Sequence, residues 1–305
     1  MNDIPPPFCD SENMGETLSL RARSPYLRWL EVADNVKTEL LRLKYQAKLL
    51  NRVFPKDPAQ FHGFEREAVA TISDLILDGM DWTVTHNFDL PQIDPADRVI
   101  LLGNHPMLTT SWVWAKFMGD HFVKNLVVVG KDETLKNPLS RFFLGKLLED
   151  ANKIIPIPRG KKKHEEAIAS IRTRAAKVLT PGTGVVLFSD QHRAYPSRIT
   201  DEQKYWDDKR PSLEVSNWMT ETCFPHSGGL RALREVTKDL DSVRFLDCTT
   251  VEPYPVQQFG ARVHFDVRKI SASDLFGDPP SQAHLDEMLI RLWKEKNALI
   301  RQIRS

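Results

Sequence analysis

With 305 residues, 42 Lys and Arg against 41 Asp and Glu, and a formal net charge of +1, the chain lacks the sustained basic field that nucleic-acid binding requires, so no nucleic-acid partner is expected. A hydrophobic fraction of 41% excludes a disordered chain, and 14 glycines are too few for a collagen-like one. Cys9, Cys223 and Cys248 are odd in number and far apart without a CxxC spacing, so neither a zinc site nor a disulfide framework is expected, and a reducing compartment fits best.

The length suits one large α/β domain with an appendage, or two domains. Residues 1–24 are rich in Pro, Ser and Asn and lack periodicity, which reads as a flexible arm. They offer acidic residues and prolines where a signal peptide would carry a basic and then an apolar segment. From Pro25 to about Val53, residues such as Leu30, Ala33, Val36, Leu40 and Leu43 recur every third or fourth position, the stripe of a long amphipathic helix. Past the Pro55 to Pro58 break, Phe64, Ala68, Ile72, Leu75 and Ile76 keep that spacing. Residues 25–85 are therefore expected to form a helical subdomain, and residues 86–305 an α/β domain.

Beyond Asp94-Pro95 the pattern changes to short apolar runs closed by polar residues or glycine: Val99 to Leu102, Leu126 to Val129, Ile154 to Ile157, Val185 to Phe188, Phe245 to Val251 and Val263 to Val267. Helical spacing separates them, as in Ala167, Ile168, Ile171, Ala175 and Val178. Such alternation predicts an α/β fold with a largely parallel central sheet flanked by helices, with ligands beyond the carboxyl ends of the strands. The stretch from His284 to Ile303 reads as a closing amphipathic helix. No run approaches the roughly 18–20 apolar residues of a membrane span, so a cytoplasmic protein is expected, with at most peripheral contact at a membrane surface.

The strand ends carry the chemistry. The first strand runs into Gly103-Asn104-His105-Pro106, where a histidine in a fixed pose can act as general base, or serve only as a hydrogen-bonding loop residue. The second ends in Gly130-Lys131-Asp132-Glu133, and the third in Pro158-Arg159-Gly160 followed by Lys161, Lys162, Lys163 and His164. That basic cluster can bind phosphate, Arg through forked hydrogen bonds and Lys as a point charge, or be a solvated loop. The fourth strand runs into Ser189-Asp190-Gln191-His192-Arg193.

In order and spacing these pieces resemble the glycerolipid acyltransferase superfamily, which includes the lysophosphatidate and glycerol-3-phosphate acyltransferases. Asn104-His105 is similar to the opening of the family's first block, and Lys131, Pro138, Gly145 and Ile155 to Arg159 look like its second. Phe188 to Arg193 resembles the third block, F-P-E-G-T-R, with Asp190 at the Glu position and Arg193 at the Arg. Val251 to Val256 looks like the fourth, a short apolar run ending in proline. The resemblance spans about residues 95–260. The soluble chloroplast-type glycerol-3-phosphate acyltransferases look closest, since they carry an N-terminal helical domain and a Lys-Lys-His cluster that Lys162-Lys163-His164 resembles.

The resemblance implies an O-acyltransferase acting in lipid synthesis. A fatty acyl group would pass from acyl carrier protein or acyl-CoA to a hydroxyl of glycerol 3-phosphate or a related phosphate-bearing acceptor. His105 would be the base, and Asn104, Lys131, Arg159, Lys162, Lys163, His164 and Arg193 would bind substrate. No metal or organic cofactor is implied beyond the carrier of the thioester.

The first block departs at one position. The family's first block places an Asp five residues after the His, where this chain has Thr110. Three consequences compete: another carboxylate, Asp190 or Asp132, reaches His105; the enzyme is slow; or the fold is reused to bind a lipid, an acyl carrier or a protein. Asp190 is the first choice among these, because both strand ends should open onto one face. Ser189 and Gln191-His192 also replace the third block's Pro and Gly-Thr.

Trp112, Trp114 and Phe117, on one helical face, would either pack a core or floor an acyl slot. Arg141, Lys146, Arg172, Arg174 and Lys177 would be exposed helix charge or a surface for an acidic acyl carrier. Ser227 is expected to cap a helix.

Overall fold

The computed structural model describes residues 69–70, 73–74, 76–88, 93–94, 96–131, 153–158, 164–190, 192–253 and 260–305. The expected arm, the helix over 25–53 and most of the second helical run lie outside the described residues. Of that second run, Ile76 is described, helical and fully buried.

Seven strands form one sheet: β1 (Thr83–Phe88), β2 (Arg98–Gly103), β3 (Asn125–Lys131), β4 (Ile154–Ile157), β5 (Thr183–Phe188), β6 (Val243–Val251) and β7 (Arg262–Ile270). Their spatial order is β1-β7-β6-β2-β5-β3-β4. All neighbours pair in parallel except β6 with β7. The carboxyl ends of β2, β3, β4, β5 and β6 therefore share one edge. The helices are α1 (Leu108–His121), α2 (His164–Val178), α3 (Pro196–Lys209), α4 (Gly228–Thr237), α5 (Ala272–Phe276) and α6 (Gln282–Arg304).

The central strand β2 shows why the sheet has helices on both faces. Val99, Ile100, Leu101 and Leu102 are all fully buried, and side chains of a strand alternate between its faces. Ile100 and Leu102 join the core formed with α2, α4 and the stripe Leu285, Leu289, Leu292 and Trp293 of α6. Val99 and Leu101 join the opposite core, with Ile76, Met80, Trp114, Phe117 and Phe265. Trp114 and Phe117 are thus core residues, and Trp112 packs against the same cluster. Close packing dictates Gly184 beside β2, because a Cβ there would lie 2.6 Å from Cγ1 of Val123.

The six strands expected from apolar runs are present, and β1 is an addition. Its sequence, Thr-Val-Thr-His-Asn-Phe, is mostly polar, and it lies at the sheet edge with pairing to β7 alone. Position 86, where the α/β domain is expected to begin, falls inside this strand. The closing helix is observed as α6, capped by the Ser281 hydroxyl, which accepts from the His284 N–H at 3.1 Å. Ser227 does not cap α4; its hydroxyl accepts instead from Nε2 of Gln282 at 2.8 Å. Among the described residues no helix is long and apolar enough to cross a membrane.

Candidate active site at the strand ends

Residues 104–107 link the end of β2 to α1, and side chains from neighbouring strand ends pin them. Gly103 closes β2 under the ring of Phe188, where a Cβ would lie 3.2 Å from Cε1. Asn104 is buried and clasps the backbone of Thr250 in β6: its Nδ2 donates to the carbonyl at 2.9 Å and its Oδ1 accepts from the N–H at 2.8 Å. Its amide is thus engaged with the sheet. The backbone N–H of His105 donates to both carboxyl oxygens of Asp190, at 2.9 and 3.0 Å. The Met107 N–H donates to Oε1 of Glu252 at 2.7 Å.

The imidazole of His105 stacks on Phe188, centroids 4.9 Å apart at 29°, and Trp114 meets the same phenyl edge-on at 5.3 Å. Nδ1 of His105 lies 2.9 Å from the Pro106 carbonyl oxygen. A carbonyl only accepts, so this contact requires the proton on Nδ1 and puts the lone pair of the neutral ring on Nε2. Asp190, the first choice for a partner of the ring, holds the backbone of His105 through both carboxyl oxygens. Thr110 does not stand in for the missing carboxylate. It is fully buried in the first turn of α1, and its hydroxyl has no hydrogen-bond partner among the described residues.

Behind the loop lies a buried ionisable cluster. Burial holds the Asp190 carboxyl well above the usual carboxylate range; the His105 N–H opposes that shift, Glu202 adds to it, and Lys296 opposes it. Glu202, from α3, is also raised by burial, against the Phe224 N–H at 2.9 Å and the Arg198 guanidinium at 3.0 Å. Lys296 of α6 is fully buried, paired with Asp247 at 2.5 Å and donating to the Cys248 carbonyl at 2.8 Å. Burial pushes the Cys248 thiol up to about 12 and the Cys223 thiol higher still. Neither cysteine is then a thiolate nucleophile near neutral pH.

Arg193 follows the β5 turn, half-buried, with its Nε enclosed and without a hydrogen-bond partner among the described residues. Lys131 ends β3 and His164 opens α2 at the same sheet edge; their side chains, like Asp132, Arg159, Lys162 and Lys163, lie outside the described residues. His192 donates its backbone N–H to the Asp190 carbonyl at 2.6 Å. Arg172 is ion-paired with Glu235. Sequence reasoning missed Phe188 as the ring's platform and the carboxyls of Glu202 and Glu252. Glu252 had one signal, its place at the end of an apolar strand beside a proline. Among the described residues no group of three or more His, Cys, Asp or Glu side chains could hold a metal ion.

Fold and site together describe an α/β protein with a mostly parallel seven-stranded sheet and a histidine loop at the carboxyl end of the central strand. The solved structure of the 1-acyl-sn-glycerophosphate (LPA) acyltransferase PlsC from Thermotoga maritima is similar, with a TM-score of 0.50 at 12% identity over 87% of this chain and 98% of that one. No protein-family model matches the sequence. No curated protein matches it either.

Proposed function

We propose that this chain is a glycerolipid O-acyltransferase that moves a fatty acyl group from a thioester, on acyl carrier protein or coenzyme A, to a hydroxyl of glycerol 3-phosphate or a related phosphate-bearing acceptor. The observation that carries the reading is the pose of His105, held at the end of β2 with Nδ1 on the Pro106 carbonyl and its basic lone pair on Nε2. In the reaction, Nε2 takes the hydroxyl proton as the acceptor oxygen attacks the thioester carbonyl carbon. The C–S bond then breaks, and the leaving thiolate takes the proton back from the imidazolium. Asp190 acts on this step through the His105 N–H, and is a positioning residue. Arg193 would meet the acceptor phosphate with the exposed part of its half-buried side chain, assisted by Lys131, Arg159, Lys162, Lys163 and His164.

Thiol release from a panel of acyl-carrier and acyl-CoA donors tests this, with glycerol 3-phosphate, lysophosphatidate or unphosphorylated glycerol as acceptor. Release that requires a phosphate-bearing acceptor, with an acceptor KM raised about tenfold or more in Arg193→Ala, is expected. A second reading, a binding protein on an acyltransferase scaffold, is favoured by one observation: Thr110, its hydroxyl without a partner among the described residues, stands where the resemblance places a carboxylate. Folded protein that releases no thiol with any pair would support it.

A further inference from the structure

Two of the contacts that hold the histidine loop meet on a single peptide unit. His105 Nδ1 lies 2.9 Å from the carbonyl oxygen of Pro106, and the N–H of Met107, the other end of that same peptide, donates to Oε1 of Glu252 at 2.7 Å. In a trans peptide the C=O and N–H lie in one plane and point in opposite directions across the C–N bond. The imidazole and the carboxylate therefore sit on opposite sides of the Pro106–Met107 peptide, joined by two hydrogen bonds in series. We infer that Glu252 is a positioning residue for His105, acting through this peptide. A carboxylate accepting the amide proton pushes electron density onto the Pro106 oxygen, so that the oxygen holds the Nδ1 proton more strongly and the imidazolium is easier to form. The relay supplies, one peptide unit further away, the tautomer control and negative charge that a carboxylate on the ring would give. Glu252 is buried, so water does not screen the arrangement.

Among the described residues, other charged groups surround Asp190 and Glu252, the two carboxyls that hold this loop. Asp190 comes from the end of β5, Glu202 from α3 behind it, and Lys296 and Arg304 from α6. Arg304 donates its Nε to the Glu252 backbone carbonyl at 3.0 Å, while its other end pairs with Glu221. Only Glu252 and His105 are bonded to the two ends of the Pro106–Met107 peptide among these groups.

The inference rests on His105 being the base, and the test separates the two claims. The full chain, labelled with 15N-histidine, is examined by NMR, and His105→Ala assigns the imidazole signals. Wild-type protein is expected to show the Nδ1-protonated tautomer with a hydrogen-bonded Hδ1; an Nε2-protonated ring would overturn the relay without any variant. Glu252→Gln keeps an acceptor for the Met107 N–H and removes the charge. It should move Hδ1 upfield, lower the imidazole pKa by about half a unit, and reduce kcat about threefold with both KM values unchanged. An unmoved Hδ1 and imidazole pKa in folded Glu252→Gln would overturn the relay even if thiol release depends on His105. A moved Hδ1 in protein that releases no thiol would uphold the relay and remove the acyltransfer reading.

Discussion

At the scale of single residues, His105 depends on its neighbours for tautomer and pose, and Thr110 takes no part in either. Thr110 buries a hydroxyl with no partner among the described residues, so Thr110→Val, nearly the same shape, removes an unmet polar group. That variant should be as stable as wild type or about 1 kcal/mol more so in urea, with thiol release unchanged. A loss of stability together with a loss of turnover would show that the hydroxyl has a partner in the working site. The two described thiols are buried and held protonated, so alkylating native protein with iodoacetamide should leave Cys223 and Cys248 unmodified by mass spectrometry.

At the scale of elements, the fold assembles the site by bringing distant segments to one edge. Asp190 at the end of β5 and Glu202 in α3 both carry raised pKa values in the folded state, chiefly from burial. The sign follows from proton counts. Above the ordinary aspartate value of 3.8, an unfolded chain releases the proton that the folded chain still holds, so this term favours unfolding increasingly as pH rises, until the folded value is passed. Wild-type stability, measured by urea titration from pH 4 upward, should therefore fall relative to Asp190→Asn across that window; parallel curves would refute the shift. A second element-level clamp is Asn297 of α6, fully buried, whose Oδ1 accepts from the N–H groups of Thr220, Glu221 and Thr222 at 3.0, 2.7 and 3.2 Å. Asn297→Ala leaves three backbone donors without that acceptor and should cost about 3 kcal/mol in a urea melt, loosening the segment that leads to Cys223 and Phe224. The sequence revealed α6 through its stripe of Leu285, Leu289 and Leu292, but gave Asn297 and Lys296 no such signal. Their partners lie 75 and 48 residues away, and periodicity does not encode who meets whom. β1 was hidden for the opposite reason: an edge strand with polar residues at alternate positions lacks the apolar run that exposed its six neighbours.

At the scale of the whole molecule, the alternation of short apolar runs with helical spacing was enough to anticipate an α/β protein with a largely parallel sheet. The parallel run of β2, β5, β3 and β4 then carries their ends to a common edge, as the alternation of strands and helices requires. What the sequence could not convey was the division of labour around His105. Asn104 reads as a substrate residue by position, yet its amide is spent on the Thr250 backbone 146 residues away. Asp190 reads as a ring partner and holds the main chain, while Glu252, 145 residues from Met107, had no spacing relation to betray it. The central claim, that His105 is the base of an acyl transfer to a hydroxyl, is tested most directly by following the acylated product by mass spectrometry in matched reactions of wild type and His105→Ala. The expected result is an ester formed by wild type only when donor and phosphate-bearing acceptor are both present, with its rate reduced about 10²- to 10⁴-fold in the variant. Equal rates of ester formation in the two proteins, or no ester from folded wild type with any pair, would contradict it.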